Sequence, residues 1–318
     1  MPAVRVLNPV RGMPFRWSLN PYRGCAHGCT YCYARATHEY LGFDSAGDFE
    51  RVILAKLDAP HQLARELARP SWKRELVAVG TATDPYQPVE GQLRLTSSCL
   101  AVFLRFRTPI SLVTKSTLVV RDADLLARLS QVAAGTMVWI SLATLDSRLA
   151  RQVEPGAPAP ARRLQAVARL AGAGVPVGIL VAPVLPGLTD GYGHLRALVQ
   201  AAREAGAWDV RAHPLRLCPG GSELFAAWLD RQVPELGPVY RRLYAGRIHV
   251  SPRYAEHLGA RFEQLRRQAG FGELRHGAGT NHETPGVHQL RLPWWEPGGL
   301  ALELRGTAAG KTAAKVNS

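Results

Sequence analysis

Short apolar runs alternate with amphipathic segments along most of the chain. Six runs rich in β-branched and other apolar residues have the lengths of buried strands, and they occupy residues 51–56, 75–84, 110–116, 137–146, 175–184 and 208–217. The segments between these runs place apolar residues three and four positions apart, which is the period of an amphipathic helix. A strand followed by a helix, repeated about six times, predicts a parallel sheet built from βα units.

The length of the repeating part limits the architecture. A complete eight-unit barrel takes about 250 residues, whereas the alternation here ends near residue 218. The pattern predicts an α/β fold, either a partial barrel or an open doubly wound sheet. We expect a barrel domain over 1–220, a helical extension or lid over 221–271, and a loop-like C-terminal segment with a disordered tail over 272–318.

Polar side chains stand where three of the predicted strands end. The stretches GTATD, TKS and SLATLD contain Thr81, Thr83, Asp84, Lys115, Ser141 and Asp146. In parallel βα folds the carboxyl ends of the strands form the ligand-binding edge. Thr, Ser and Asp are also ordinary N-cap residues, which is the alternative interpretation at each position. Three polar strand ends together favour a binding site at this edge.

The charge of the chain bears on its partners and location. It carries 39 Lys and Arg against 25 Asp and Glu, a formal net charge of +14. Such a surface attracts polyanions, so nucleic acid is a candidate partner. Only five of the 39 are lysines, and a general bias toward Arg and Ala is the alternative explanation. Because the sequence has neither a signal-like N-terminus nor a membrane-spanning apolar run, we expect a soluble, cytoplasmic protein with no membrane partner.

Three of the five cysteines, Cys25, Cys29 and Cys32, lie within eight positions. Clustered thiols in a reducing compartment hold a metal more often than they form disulfides. A closed zinc site needs four ligands, and His27 is a candidate for the fourth. A four-iron cluster normally takes one thiolate per iron, so three thiolates leave one iron open to a small molecule.

The spacing CxxxCxxC, with Tyr31 immediately before Cys32, resembles the signature of the radical S-adenosylmethionine superfamily. The resemblance implies a partial (β/α)6 barrel of parallel strands in which Cys25, Cys29 and Cys32 bind a 4Fe-4S cluster, with S-adenosyl-L-methionine on the fourth iron. It further implies that an electron from a flavodoxin or ferredoxin-type donor cleaves S-adenosylmethionine to a 5'-deoxyadenosyl radical, which abstracts hydrogen from a substrate.

Three longer stretches, NPYRGCAHGCTYCYA, GTATDPYQPVE and PVLPGLTD, are similar to the spore-photolyase-like branch of that superfamily. This resemblance covers most of the predicted barrel. It implies that Tyr31 lies against the adenine and that Thr83 and Asp84 hold the methionine amino group. Lys115 and Ser141 resemble positions that bind the methionine carboxylate or the ribose, with a surface lysine as the alternative for Lys115.

Position 81 differs from the spore-photolyase-like pattern. Spore photolyase has a hydrogen-donating cysteine where the alignment places Thr81, and a hydroxyl is a far poorer hydrogen-atom donor than a thiol. The resemblance therefore does not extend to splitting spore photoproduct by that mechanism. Cys218, at the end of the sixth predicted strand, is the candidate substitute donor; an incidental thiol is the alternative, and Cys99 on an apolar helix is expected in the core.

The sequence does not identify the substrate. The leading hypothesis is a radical S-adenosylmethionine enzyme whose unknown substrate includes nucleic acid as a candidate. The alternatives are the same chemistry on a peptide or small molecule, and a non-catalytic zinc or iron-sulfur module that binds nucleic acid. In the C-terminal segment, a packed tryptophan pair with incidental histidines is favoured over a metal or base-stacking site; the residues are His276, His282, His288, Trp294 and Trp295.

Overall fold

A computed structural model of the chain describes residues 5–272 and the strands 303–306 and 312–315. Its strands, in chain order, are β1 Leu7–Pro9, β2 Trp17–Leu19, β3 Tyr22–Arg23, β4 Leu54–Ala55, β5 Val77–Val79, β6 Ile110–Thr114, β7 Met137–Ser141, β8 Val177–Val184, β9 Asp209–Pro214, β10 Glu303–Gly306 and β11 Thr312–Lys315. The main sheet has the order β1-β2-β5-β6-β7-β8-β9, and only β1 is antiparallel to its neighbour. Six strands of this sheet therefore run parallel.

Helices connect successive parallel strands. In chain order they are α1 Ala36–Glu39, α2 Asp48–Arg51, α3 Ala59–Leu67, α4 Glu90–Leu93, α5 Leu95–Arg105, α6 Ala123–Val132, α7 Ser147–Val153, α8 Pro160–Gly172, α9 Tyr192–Glu204, α10 Gly221–Gln232, α11 Gly237–Tyr244 and α12 Pro252–Gln268. Short 3-10 helices precede α1, α6 and α11, at Tyr33–Arg35, Thr117–Asp122 and Pro234–Leu236. The alternation confirms the α/β class and the partial barrel of six parallel strands.

The first parallel strand is not the one that the apolar pattern predicts. It is β2, immediately ahead of the cysteine stretch, and it pairs with β5. The predicted strand over 51–56 is wrong, because only the two residues of β4 are extended there and they pair with β3 in a separate sheet. A three-residue strand such as β2 is too short to produce an apolar run, which is why the pattern does not show it.

The two faces of the parallel strands differ in polarity. On β7, Val138 and Ile140 are fully buried in the main apolar core that the helices cover. Because side chains alternate along a strand, Trp139 and Ser141 lie on the opposite, inner face. The outer face thus supplies the core, and the inner face is left for polar groups.

Helices α10 and α11 pack against the cysteine stretch. Phe225 of α10 and Tyr240 of α11 belong to one buried cluster with Cys29 and Tyr31. These helices follow the barrel directly, as the predicted extension does. Its description as a separate lid, and the domain boundaries as a whole, remain predictions.

Helix α12 covers the edge of the sheet at β9. Arg266 is 2% exposed, and its Nε donates to the carbonyl oxygen of Val210 at 2.8 Å. Its Nη2 donates to Oδ1 of Asp209 at 2.5 Å. An unpaired sheet edge can pair with other chains, and a buried arginine bound to this edge removes part of that opportunity.

The described helices include none that is both long and apolar enough to cross a membrane. The strands β10 and β11 pair antiparallel within the segment predicted to be loop-like, so that prediction is wrong at these two places. Local pairing of two short strands needs no apolar run, and composition gives no sign of it. The predicted histidines and tryptophans at 276–295 lie outside the described residues.

Candidate active site

The three clustered cysteines lie on the loop that leaves β2 at the carboxyl edge of the sheet. All three are free thiols; Cys25 and Cys29 are buried, and Cys32 is partly exposed. The backbone fixes the loop, because Cys25 N donates to the carbonyl of Phe49 at 2.8 Å and Thr30 N donates to that of Val153 at 3.0 Å. The loop is thus bound to the α2 region on one side and to the end of α7 on the other.

Two glycines allow other loops to press on the cysteine loop. A Cβ at Gly156, after α7, would lie 2.3 Å from the carbonyl oxygen of Ala26. A Cβ at Gly221, at the start of α10, would lie 2.7 Å from the carbonyl oxygen of Cys32. Real Cβ atoms do not approach backbone so closely, so both contacts require glycine. We call this pair of contacts the glycine clamp.

Burial keeps the three thiols protonated in the absence of a metal. It raises the pKa of Cys25 well above the ordinary value, and it raises the pKa of Cys29 to about 12 although Lys115 acts in the opposite direction. Burial also raises the pKa of Cys32. A metal or cluster that binds here must displace the thiol protons, because the thiolate is the ligand.

Within the described ranges, no three His, Cys, Asp or Glu side chains converge closely enough to hold a single metal ion. A tetrahedral zinc site would require such convergence, with each sulfur about 2.3 Å from one ion. Thiolates on a four-iron cluster bind different irons and stand further apart. Three thiols in one loop supply the thiolate ligands that an iron-sulfur cluster takes. His27 is also engaged elsewhere, since its Nδ1 lies 3.3 Å from Oδ2 of Asp84.

Asp84 sits at the centre of a buried set of contacts that we call the Asp84 network. Its Oδ1 accepts from Tyr86 N at 2.9 Å and from Thr114 Oγ1 at 2.6 Å, and its Oδ2 accepts from Lys115 N at 2.7 Å. These three donors use most of the four acceptor sites that a carboxylate has, and His27 Nδ1 approaches Oδ2 at 3.3 Å. Burial alone would raise the pKa of Asp84, but His27 and the donated hydrogen bonds lower it to about 2.

Thr83 is likewise committed to the protein. Its Oγ1 donates to the carbonyl of Gly24 at 2.5 Å and accepts from Gln87 Nε2 at 3.0 Å. Gln87 also donates to Gly24, so the segment after β5 is tied to the start of the cysteine loop. Thr83 and Asp84 thus lie beside the cysteine loop, with their side-chain oxygens already bonded.

A second buried set of contacts, the Glu154 network, joins five residues from different loops, strands and helices. Tyr31 OH donates to Oε1 of Glu154, and Arg163 Nη2 donates to its Oε2 at 2.5 Å. Lys115 Nζ lies 3.7 Å from Glu154 Oε1 and donates to Ser141 Oγ at 3.2 Å. The structure therefore brings the predicted Tyr31, Lys115 and Ser141 together.

The charges of the Glu154 network do not balance. Burial would lower the pKa of Lys115, but Cys29 and Glu154 raise it; burial would raise the pKa of Glu154, but Lys115 and Arg163 lower it. All three groups are therefore charged, which places two cations beside one carboxylate. The network has a surplus positive charge next to Cys29.

Lys115 has hydrogen-bond donors that no protein group uses, unlike Arg163. The guanidinium of Arg163 is 1% exposed and donates to Glu154, to the carbonyl of Ser141 at 3.0 Å and to that of Pro158 at 2.7 Å. Lys115 is 17% exposed, and only Ser141 accepts from its ammonium within hydrogen-bond distance among the described residues. An ammonium has three donors. Two N–H groups of Lys115 are thus left for a ligand.

Glu154 and Arg163 are missing from the sequence prediction. Glu154 follows a helix rather than a strand, and nothing in its neighbourhood marks it. Arg163 did carry a signal, because it shares the buried stripe of α8 with Pro160, Val167 and Leu170. An arginine on an apolar helical face is unusual unless it is paired.

Cys218 and Thr81 approach the cysteine loop from the other side. Burial raises the pKa of Cys218, and Cys32 is near enough to raise it further while Arg216 lowers it. The loop that carries Cys218 reaches Cys32 through Gly221. The carbonyl of Thr81 accepts from Tyr33 OH at 2.5 Å, and its hydroxyl accepts from Asn20 at 3.0 Å. Cys99 is 1% exposed in the main core, as predicted.

Six parallel strands thus carry a three-thiol loop at their carboxyl edge, with the Lys115 ammonium and the Glu154 network beside it, which is the arrangement of an α/β protein with a ligand site at the carboxyl ends of its strands. The sequence profile described as the Radical SAM superfamily matches residues 19–199. The chain belongs to this superfamily. Radical SAM enzymes use a 4Fe-4S cluster and S-adenosylmethionine.

Relatives by sequence extend over most of the chain. An uncharacterized protein of Mycobacterium tuberculosis is 42% identical over 253 residues, which is 80% of this chain and 74% of the relative. An uncharacterized protein of Methanocaldococcus jannaschii is 26% identical over 188 residues, 59% of this chain and 68% of the relative. These names assign no substrate.

Among solved structures, the chain is similar in fold to spore photoproduct lyase. A double mutant of that enzyme with bound AdoMet and dinucleoside spore photoproduct matches with a TM-score of 0.59 and 18% identity, covering 83% of this chain and 76% of that one. Spore photoproduct lyase complexed with dinucleoside spore photoproduct matches with a TM-score of 0.58 and 19% identity, over 83% and 77%. At this identity the likeness establishes the fold alone.

Proposed function

We propose that the protein is a radical S-adenosylmethionine enzyme in which Cys25, Cys29 and Cys32 hold the cluster and the Glu154 network binds S-adenosylmethionine. The observation that carries the proposal is the convergence of Tyr31, Lys115 and Ser141 next to Cys29 from separate parts of the chain. When bound, the cluster and S-adenosylmethionine supply a reductively generated radical that takes hydrogen from the substrate.

Lys115 is the residue for the methionine carboxylate. Its two remaining N–H groups can donate to the two oxygens of one carboxylate, and its positive charge favours that contact. Ser141 keeps the ammonium in place by accepting one of its hydrogens. Tyr31 is held by Glu154 and has the Lys115 ammonium 5.8 Å from its ring centre, so its backbone and ring are positioned for an adenine.

Thr83 and Asp84 position the backbone around the cofactor, and their side chains do not contact it. Because their side-chain oxygens are already bonded, a methionine amino group at this edge would meet the backbone of the segment instead. Asp84 fixes the main chain of Lys115, and Thr83 fixes that of Gly24. The two residues thereby set the distance between the cysteine loop and the end of β6.

Cys218 is the proposed hydrogen-atom donor to the substrate radical; the thiyl radical that this leaves on its sulfur is returned to the thiol by one electron from the flavodoxin or ferredoxin-type donor and one proton from solvent. Its thiol is partly exposed, lies near Cys32 and stays protonated because burial raises its pKa. In deuterium oxide the thiol exchanges, so the product of the intact enzyme should carry solvent deuterium. The Cys218→Ala variant should lose that label, and unchanged labelling would rule the donor out.

The test of the main proposal is anaerobic reconstitution with iron and sulfide, followed by dithionite and S-adenosylmethionine. We expect about four irons per chain and formation of 5'-deoxyadenosine, measured by mass spectrometry. Cys29→Ser should abolish both, whereas Cys99→Ala, at a cysteine far from the site in the core, should keep both. One zinc per chain without sulfide, or four irons without 5'-deoxyadenosine, would contradict the proposal.

Nucleic acid is the substrate class supported by the net charge of +14 and by the dinucleoside bound in the similar spore photoproduct lyase structure. Binding of DNA and RNA across a salt series tests it, since phosphate contacts give a steep log-log slope. A flat slope would favour a peptide or small molecule. A flavodoxin or ferredoxin-type protein is the proposed electron donor, to be tested by replacing dithionite with either protein.

A further inference from the structure

The inner face of the sheet carries a cationic group that the proposed cofactor site does not use. Arg211 of β9 lies with its guanidinium carbon 4.9 Å above the ring centre of Trp139 of β7. Between them, Gly178 of β8 leaves the room that this arrangement needs, because a Cβ there would come within 2.5 Å of the Trp139 ring. Three adjacent strands thus build one stack of backbone, indole and guanidinium.

The stack holds the side chain of Arg211 in place but leaves some of its N–H donors without an acceptor. Nε donates to Oδ2 of Asp209 at 3.0 Å, and it is the only guanidinium nitrogen of Arg211 with a hydrogen-bond acceptor in the described part of the chain. The charge of Asp209 is shared, because its Oδ1 accepts from the buried Arg266 at 2.5 Å. The side chain of Arg211 is 38% exposed. Its two terminal nitrogens are therefore available on the inner face.

The position of Arg211 relates it to the proposed cofactor site. In the sheet register Arg211 is opposite Leu180, and Leu180 is opposite Ser141, so the three lie in one layer. Residues paired in this way point to the same face, and two strand spacings separate Arg211 from Ser141 by roughly 10 Å. A group bound by Arg211 would share the inner face with S-adenosylmethionine and lie beside it.

We propose that Arg211, held on Trp139, binds an oxyanion of the substrate, a phosphoryl or carboxylate group, at the inner face of the barrel next to the cofactor. The planar guanidinium presents parallel N–H donors that match two oxygens of such a group. Stacking on the indole orders the side chain before binding, which lowers the entropic cost of the contact. This inference names the substrate chemistry and rests on the proposed function for the identity of the neighbouring cofactor.

The experiment measures anion binding directly, without S-adenosylmethionine or turnover. Every chain in the experiment carries Lys115→Met, so that the empty cofactor site cannot bind the anions, and each reconstituted full chain is titrated with inorganic phosphate and with acetate at constant ionic strength by isothermal titration calorimetry. We expect Arg211→Met to weaken binding at least tenfold, since two charge-assisted hydrogen bonds are lost. Arg211→Lys keeps the charge without the paired donors and should weaken it severalfold.

Arg105→Met is the matched control, because Arg105 is exposed and also stands over an aromatic ring, that of Phe106 at 5.5 Å. It should bind both anions as the unchanged chain does. Tighter binding of phosphate identifies a phosphoryl group, and equal or tighter binding of acetate identifies a carboxylate. The proposal is overturned if neither anion binds or if Arg211→Met binds as tightly as the unchanged chain. Absence of 5'-deoxyadenosine would overturn the proposed function and leave this result standing.

Discussion

The Asp84 network and the Glu154 network are both buried, both charged and both in contact with Lys115, yet they differ in what they leave unbonded. Asp84 accepts three hydrogen bonds, one of them from the main-chain N–H of Lys115, so most of its acceptor capacity is used within the protein. Glu154 stands beside the side chain of Lys115, which keeps two free N–H groups and a surplus charge. The backbone of Lys115 is thus fixed by Asp84, while its ammonium keeps N–H groups that can bind a ligand.

The difference separates the two roles that polar residues take at a strand end. A carboxylate that accepts most of its hydrogen bonds from the protein stabilises the folded chain and has little capacity for a ligand, whereas a buried cation with free N–H groups is costly until an anion binds. The Asp84 network should therefore affect stability most, and the Glu154 network should affect binding most. Four changes test this division.

The largest effect is expected for Asp84→Asn in the iron-free chain. The substitution removes a buried charge that three hydrogen bonds stabilise and replaces an acceptor oxygen by an NH2 group that cannot accept, so the unfolding free energy should fall by about 3 kcal/mol. Urea denaturation measures it. Asp146→Asn is the matched control, because Asp146 is an exposed aspartate that caps α7, and asparagine caps as well. Equal losses in both variants would contradict the anchoring role of Asp84.

Lys115→Met should act on binding instead. The affinity of the reconstituted chain for S-adenosylmethionine should fall about tenfold to a hundredfold, because charge-assisted hydrogen bonds to the carboxylate are lost. The unfolding free energy should change by less than about 1 kcal/mol, because the buried Glu154 carboxylate still has its ion pair with Arg163. Equilibrium dialysis with labelled S-adenosylmethionine measures the first and urea the second, with the exposed Lys73→Met as control. A variant that loses stability but keeps its affinity would reverse our assignment.

Acid should remove the contribution of Asp84. Its pKa is lowered in the folded chain to about 2, so the folded state binds fewer protons than the unfolded state between that value and an unfolded pKa of about 3.9. The contribution, about 2 kcal/mol, is present above the unfolded pKa and is lost as the pH falls through the folded one. The difference in unfolding free energy between the iron-free chain and Asp84→Asn should shrink over this window. A constant difference would show that the carboxylate is not stabilised in the fold.

The smallest effect is expected for Ser141→Ala. It removes one hydrogen bond to the Lys115 ammonium at 3.2 Å, so the affinity for S-adenosylmethionine should fall about fivefold. The same dialysis measures it, and a loss as large as that of Lys115→Met would mean that Ser141 contacts the cofactor itself.

The fold could be predicted where the strands are long and buried. The five parallel strands after β4 each lie within an apolar run, because both of their faces are covered or packed. The strand β2 could not be predicted, since three residues give no period, and its place was taken by a run that forms only β4. The predicted number of strands was therefore right, although the first of them was placed in the wrong segment.

The candidate site could be predicted only in part, for a related reason. Tyr31, Lys115 and Ser141 stand at strand ends or within the cysteine motif, where position alone marks them. Glu154 belongs to a loop between two helices, and its importance arises from residues more than a hundred positions away, such as Tyr31. No local pattern encodes such a contact. The roles of the individual site residues remain predictions until the experiments above are done.

The glycine clamp has a consequence for how the enzyme is made and repaired. Gly156 and Gly221 let two loops hold the cysteine loop by its backbone, and neither contact involves a thiol. The shape of the loop thus depends on the polypeptide rather than on its inorganic cargo. We therefore expect the folded chain to take up iron and sulfide, and to take them up again after an oxidised cluster is lost, without unfolding.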